Sequence, residues 1–285
     1  MTGEVDAGID GLLDRAIDED LGTGGDCTSN ALFPEDECAE AVIQSKEAGI
    51  LSGVLLLKPL FSKINPSVLV TIPLDDGSEL SPGSVICRLT GPVRGILAGE
   101  RIALNFLQRL SGIATLTSQY CAAMANTGAR LLDTRKTTPG LRLLEKLAVR
   151  HGGGMNHRFG LFDMMLIKDT HVKRCGGVTA ALEKALQSRG HATRPKIEVE
   201  VQSVREFEEA VELRPDRIML DNMSLSAMRQ CVEKKIAARA GVELEASGNV
   251  TLDSIPAVAE TGVDFVSCGS ITHSAKALDI HLVIV

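Results

Sequence analysis

The chain of 285 residues has a formal net charge of -7, with 44% hydrophobic and 24% charged residues. That is a globular balance, long enough to bury one large core or two modest ones. With an acidic excess, no Trp and one Tyr, it lacks the basic field and stacking surface that nucleic-acid or membrane-surface partners require.

Seven scattered cysteines (Cys27, Cys38, Cys87, Cys121, Cys175, Cys231 and Cys268) form no CxxC pair. They read as free thiols of a reducing compartment rather than a disulfide framework or a zinc site. The opening segment is acidic and amphipathic, and no apolar run nears the roughly 18 residues of a bilayer span. The expected location is the cytoplasm.

Along the chain, Asp6 to Asp20 reads as a helix with Ile9, Leu12, Leu13 and Ile17 on one face. From Ala39 to Ile96 the pattern changes to short β-like runs, AVIQSK, GILSGVLLL, SVLVTIPL and SVICRLT, punctuated by Gly and Pro. These predict a largely antiparallel sheet. The segment AGERIALNFLQRLSGIATLTSQYCAAMA follows as a strong helix, with Ala103, Phe106, Leu107, Leu110 and Ala114 on its buried face.

Past Thr127, short apolar runs alternate with helical stretches: RLLD, MMLIK, KIEVEV, RIMLD, VELEA and DFVSC. Ser203 with Glu206 three residues on predicts a capping box. Such alternation implies parallel strands, in a barrel or a doubly wound sheet. Six strands in so short a stretch would make any barrel smaller and less complete than the eight-fold kind.

Nearly every run ends in a chemically useful group: Asp133-Thr134-Arg135-Lys136, Lys168, Glu200, Asp221, Ser247-Gly248 and Gly269-Ser270. Parallel barrels build their sites at the carboxyl ends of several strands at once. Arg135, Lys136, His157, Arg158 and Lys168 form a basic cluster that an acidic chain does not explain by composition. It suits a carboxylate-rich small molecule, with Arg forks for planar, bidentate contacts. Glu198 and Glu200 share one strand face; which of them meets the site is open, and an outward face for Glu198 is an alternative. Asp221 closes an apolar run where an unpaired charge is costly. Glu200 and Asp221 are therefore candidate ligands for Mg²⁺ or ribose hydroxyls. Ser247-Gly248-Asn249 and Cys268-Gly269-Ser270 stand between a strand and a helix start, where small residues cradle phosphate.

The segments GERIALNFLQRLSGIAT, DTRKTTPGLR, HGGGMNHRFGLFDMMLIKDTH, EVEV, DRIMLDN, LEASGN and VDFVSCGSITHS resemble the quinolinate phosphoribosyltransferase family, the decarboxylating nicotinate-nucleotide pyrophosphorylases. The resemblance runs from EDLG near Leu21 to the C-terminus. It implies an α/β fold, an N-terminal α/β open-faced sandwich plus an incomplete, six- to seven-stranded α/β barrel. Residues 1–110, joined by the segment 274–285, would form the first and 111–273 the second.

The implied reaction transfers the phosphoribosyl group of 5-phosphoribosyl-1-pyrophosphate to quinolinate, with Mg²⁺, releasing pyrophosphate and CO₂ and giving nicotinate mononucleotide for NAD synthesis. Thr134, Arg135, Lys136, His157, Arg158 and Lys168 would bind substrate, with Arg101 reaching the partner's site in a homodimer. Lys136, Lys168, Glu200 and Asp221 would carry the chemistry, Glu200 and Asp221 also facing Mg²⁺. Ser247, Gly248, Asn249, Cys268, Gly269, Ser270 and His273 would surround phosphate. Thr170, where Asn is common, and His151, where Cys is frequent, depart from the family pattern and remove no charged site residue. The rivals are a paralogous phosphoribosyltransferase-like protein associated with molybdate transport, a Schiff-base aldolase using Lys168, and a non-catalytic metabolite-binding barrel.

Overall fold

The computed structural model describes residues 2–189 and 195–285. Contacts divide the chain into two compact units. One comprises Met1–Leu116, Pro139–Gly152 and Ala275–Val285, the other Thr117–Thr138 and Gly153–Ser274. Residues 139–152, which the sequence reading assigned to the barrel, thus cluster with the first unit.

The first unit holds strands β1 (Cys38–Ser45), β2 (Gly49–Ile50), β3 (Leu69–Thr71), β4 (Glu79–Leu80) and β5 (Val85–Pro92), and a C-terminal strand, Ile280–Ile284. Four make an antiparallel sheet in the order C-terminal strand, β1, β5, β3, while β2 pairs with β4. On β1 the period of two is plain: Ala41, Ile43 and Ser45 are buried and their neighbours are not.

The apolar run GILSGVLLL departs from expectation. Only Gly49–Ile50 is a strand; Val54–Leu56 is a 3₁₀ turn leading into a helix, Leu57–Ile64. Gly53, at φ 110°, breaks the strand against Leu110. Beyond it Leu56, Leu57, Leu60 and Phe61 are buried at helical spacing, a period that a short apolar run cannot reveal by itself.

The long helix extends from Val93 to Ala123, starting earlier than predicted, and buries Ile96, Ala103, Leu107, Leu110 and Ala114 while Phe106 stays half-buried. The C-terminal segment lies along it. Leu278 N–H donates to the Gln108 carbonyl at 3.0 Å, and Gln108 Nε2 donates to the Ile280 carbonyl at 2.7 Å. Arg109 bridges the Ala275 carbonyl (3.1 Å) and the fully buried Glu145 (2.8 Å). A glycine makes this approach possible, since a Cβ on Gly112 would stand 2.0 Å from the Lys276 carbonyl oxygen.

The second unit is a parallel sheet of β6 (Arg130–Leu132), β7 (Met164–Ile167), β8 (Lys196–Val201), β9 (Arg217–Asp221), β10 (Glu243–Ser247) and β11 (Phe265–Ser267). Its order is β6-β11-β10-β9-β8-β7. Beyond β6 the backbone of Met155 adds a parallel bridge to Leu132, accepting from Asp133 N–H at 3.1 Å and donating to the Leu131 carbonyl at 2.9 Å. This is the six- to seven-stranded incomplete barrel. On β8, Ile197 to Val201 are all buried, so the run reads as continuous rather than alternating. The following helix is capped by Ser203, whose hydroxyl accepts from Glu206 N–H at 3.2 Å. The Glu206 carboxylate returns to Gln202 N–H at 2.7 Å, one residue before the usual capping-box partner.

No helix among the described residues is long and apolar enough to cross a membrane. Gly112→Ala should lower stability by about 1–3 kcal/mol, the cost of overpacking a tight contact, read as a fall in the denaturant midpoint at unchanged slope.

Candidate active site

All the predicted site residues but Arg101 line one cavity of about 840 Å³ within the second unit. Thr134, Arg135 and Lys136 follow β6, Lys168 follows β7, Glu200 lies on β8 and Asp221 ends β9. Ser247, Gly248 and Asn249 end β10, and Cys268, Gly269, Ser270 and His273 follow β11. Arg101 belongs to the long helix of the first unit, its side chain 59% exposed and 4.0 Å from Glu100.

The basic wall is held by the backbone around it. Lys136 N–H donates to Thr134 Oγ1 at 3.0 Å, and the Lys136 carbonyl accepts from Thr272 Oγ1 at 2.8 Å. Gly269 leaves room for the Lys136 side chain, as a Cβ there would meet its Cδ at 3.0 Å. Asp133, fully buried, accepts from Asn156 Nδ2 at 2.6 Å and from His157 N–H at 2.8 Å, pinning the loop that presents His157 and Arg158. Arg158 Nη1 donates to the Met164 carbonyl at 3.3 Å. Burial, followed by the like charge of Arg135, pulls the Arg158 guanidinium below its ordinary pKa.

Lys168 forms an ion pair with Glu200 at 2.8 Å. That is the reverse of the desolvated setting that activates an imine-forming lysine, so the aldolase reading finds no support here.

The acidic wall settles the Glu198–Glu200 question. Glu200 faces the cavity, whereas Glu198 lies beneath it, fully buried on the same strand face. Its expected alternative, an outward surface face, is excluded. Glu198 Oε2 is 3.0 Å from His157 Nε2, and Glu245 Oε2 is 3.4 Å from the same atom. Arg217 Nη1 donates to Glu245 at 2.9 Å, and its guanidinium stacks over Phe265 at 4.1 Å. Burial first, and the Glu245 charge second, push Glu198 up to about 7. Burial opposes charging of His157, and hydrogen bonds to Glu198 and Glu245 outweigh it, raising the imidazole to about 9. Yet Arg158 N–H donates to His157 Nδ1 at 2.7 Å, which needs the lone pair of that nitrogen. The ring keeps its first proton on Nε2, facing the carboxylates, and gains a second only by breaking the backbone hydrogen bond.

At the other end, two asparagines in left-handed conformation, Asn222 (φ 52°) and Asn249 (φ 48°), lock the loops after β9 and β10 together. Asn249 Nδ2 donates to Asn222 Oδ1 at 3.2 Å, Asn222 N–H donates to the Ser247 carbonyl at 2.9 Å, and Asn222 Nδ2 donates to Asp221 at 2.9 Å. Gln202 Nε2 gives Asp221 a further bond at 3.2 Å. Ser270 Oγ lies 3.1 Å from Tyr120 Oη and 3.0 Å from Cys268 Sγ.

Sequence reasoning missed Glu245, Met219, Asn222, Thr251 and Tyr120 as cavity residues. Glu245 carried a signal, since it precedes Ser247 by two on the same strand face. Tyr120 carried none, because its helix reads as an uninterrupted apolar face.

The fit to a divalent ion rests on donor chemistry. Glu200 and Asp221 offer carboxylate oxygens from adjacent strands to one cavity, the hard donors Mg²⁺ takes while keeping waters and phosphate oxygens. The residues fit such an ion. Gly248→Ala would set a Cβ 2.2 Å from Asn222 Oδ1 at φ 106°, so it should displace the group that orients Asp221. The expected result is about 1–3 kcal/mol less stability in thermal melts, with weakened binding of inorganic pyrophosphate by calorimetry.

Residues 26–111 match the family model described as quinolinate phosphoribosyl transferase, N-terminal domain, and residues 113–283 match its C-terminal domain. A Bacillus subtilis protein described as probable nicotinate-nucleotide pyrophosphorylase (carboxylating) is 44% identical over 271 residues, covering 95% of this chain and 91% of that protein. Quinolinate phosphoribosyltransferase (decarboxylating) 1b of Nicotiana tabacum is 40% identical over 289 residues, 96% of this chain and 81% of that one. The solved nicotinate-nucleotide pyrophosphorylase of Francisella tularensis superposes with a TM-score of 0.91 at 38% identity, covering 98% and 96% of the two chains. Two domain matches in order and near-full-length similarity settle the assignment: the chain belongs to the quinolinate phosphoribosyltransferase family.

Proposed function

We propose that this chain transfers the phosphoribosyl group of 5-phosphoribosyl-1-pyrophosphate to quinolinate with decarboxylation, giving nicotinate mononucleotide, pyrophosphate and CO₂ in de novo NAD synthesis. The observation that carries the reading is one cavity joining a wall of Arg135, Lys136, Arg158 and Lys168, a wall of Glu200 and Asp221, and two small-residue loops at the ends of β10 and β11. A pyridine dicarboxylate needs the first and a phosphorylated sugar the other two. The relatives named above carry the names of this activity, which disfavours the molybdate-associated alternative.

Arg135 and Arg158 would grip the quinolinate carboxylates, since the guanidinium fork matches a carboxylate in plane. The phosphate of the sugar would rest on the backbone of Ser247 to Asn249 and Cys268 to Ser270, with His273 beside it. As the bond from C1 to pyrophosphate breaks, its electron pair leaves with pyrophosphate, and Lys136 and Lys168 offset the growing charge. Glu200 and Asp221 face the positive character that develops on the sugar. They would also hold Mg²⁺, which when bound neutralises the pyrophosphate and orients it. The pyridine nitrogen donates its pair to C1. The carbon–carbon bond to the neighbouring carboxylate then breaks, CO₂ leaves, and the electrons remain on the ring carbon beside the pyridinium nitrogen until a proton is taken up. No protein nucleophile is needed; positioning and charge supply the rate.

Arg101, outside this cavity and exposed, would serve the site of a second copy in a homodimer. The free thiols and acidic balance suit a cytoplasmic setting.

Incubation with quinolinate, phosphoribosyl pyrophosphate and Mg²⁺ should yield equal amounts of nicotinate mononucleotide and CO₂; absence of both products overturns the reading. Lys136→Ala or Arg158→Ala should lower kcat/KM by about 2–5 kcal/mol of transition-state stabilisation, roughly 30- to several-thousand-fold, and unimpaired turnover would refute the site assignment. Chelation of divalent ions should abolish turnover reversibly, with recovery on adding Mg²⁺.

A further inference from the structure

Beneath the basic wall lies a layer of charge that the reaction as described does not use. Glu198, Glu245 and Arg217 are buried, with 0%, 0% and 8% of their surfaces exposed, and none can touch solvent freely. Burying two carboxylates beside each other is expensive unless each is fully paired. Arg217 donates to Glu245 Oε2 at 2.9 Å, but Glu245 Oε1 is buried without a hydrogen-bond donor, and so is Glu198 Oε1. A purely structural ion network would not leave those oxygens unmet, because apolar residues of similar size would cost less. Such expense is retained where it serves a site.

What the two carboxylates touch is His157. Its Nε2 faces Glu198 at 3.0 Å and Glu245 at 3.4 Å, while its Nδ1 accepts from Arg158 N–H at 2.7 Å. Both ring nitrogens are thus engaged by the protein. The imidazole is a strut with the acids at one end and the Arg158 backbone at the other, and Asp133 anchors its own main chain. The ligand atoms of the three groups lie within 4.8 Å of one another, and Arg217 already supplies positive charge there, 2.9 Å from Glu245.

We propose that Glu198 and Glu245 are positioning residues for the dicarboxylate substrate, acting through His157 to set the place of Arg158 and to offset repulsion within the basic wall. The reasoning rests on the function proposed above. Electrostatics favour the role: cations gathered around one cavity repel each other, and an acidic layer directly below lowers that cost even without substrate. The strut carries Arg158, on the loop before β7 and apart from the turns after β10 and β11, so the sugar substrate should be the less sensitive of the two to its loss.

The test uses Glu198→Gln and Glu245→Gln, which keep shape and remove charge, in the full-length protein. Each should raise the KM for quinolinate by about tenfold or more while leaving that for phosphoribosyl pyrophosphate within about threefold, the split expected of a substrate-specific binding loss. If the effect runs through His157, adding either change to His157→Gln should produce little further loss. Equal shifts in both KM values, unchanged quinolinate KM or full additivity would overturn the proposal.

A second readout needs neither folding of a variant nor turnover. In ¹⁵N-correlated spectra of the wild-type protein at about pH 10, above the raised imidazole pKa of about 9, His157 should show a proton on Nε2 and a hydrogen-bonded, unprotonated Nδ1. The opposite tautomer would overturn the strut. A wild-type protein that makes no nicotinate mononucleotide would refute the function instead, leaving the ring spectrum to report on the strut alone.

Discussion

The structure turns on cations gathered at the mouth of a parallel barrel and carboxylates buried beneath them. Arg135, Lys136, Arg158 and Lys168 gather at one mouth, and burial, followed by the like charge of Arg135, holds the Arg158 guanidinium below its ordinary pKa. The barrel answers with anions on the strand faces directly below and beside them: Glu200 against Lys168, Glu198 and Glu245 against His157, and Arg217 against Glu245 in turn. The alternation of sign from the floor of the barrel to its mouth is what allows a pocket for a polyanion to exist in a chain that is acidic overall.

Strand geometry makes that layering possible. Side chains two apart on one strand share a face, and the register of parallel pairs sets Glu200, Met219 and Glu245 level with one another, Glu198 one step deeper beside Arg217, and Asp221 beside Ser247 one step higher. Glu198 is fully buried, whereas Glu200, Met219 and Glu245 border the cavity. Identical residue types therefore take different work: Glu200 is a partner for an exposed lysine, and Glu198 a buried carboxyl whose pKa is pushed up to about 7 by burial.

Close backbone approaches complete the frame. Gly248 lets the loop after β10 lie against Asn222, Gly269 gives Lys136 its path, and in the first unit Gly112 admits the C-terminal segment to the long helix. These glycines are needed for space, and at Gly248 also for a left-handed backbone. Asparagines at 222 and 249 tolerate the same backbone region and use their amides to tie it down.

Much of this was legible in the sequence, because strand-end chemistry survives without coordinates: a run of apolar residues that stops at Lys, Asp or Ser-Gly marks a barrel mouth. Motif resemblance then named the ligand class. Other features were hidden in principle. The run GILSGVLLL has no period to separate strand from helix until Gly53 turns it and Leu110 packs against that turn. For Glu245 the strand face shared with Ser247 was legible, but not its 3.4 Å approach to His157, far away in sequence. Local pattern determined which segments would be strands and which polar groups would gather at their ends. The depth at which each charge sits, and the partner it meets, were decided by tertiary structure alone, because burial and pairing depend on residues brought together from distant parts of the chain.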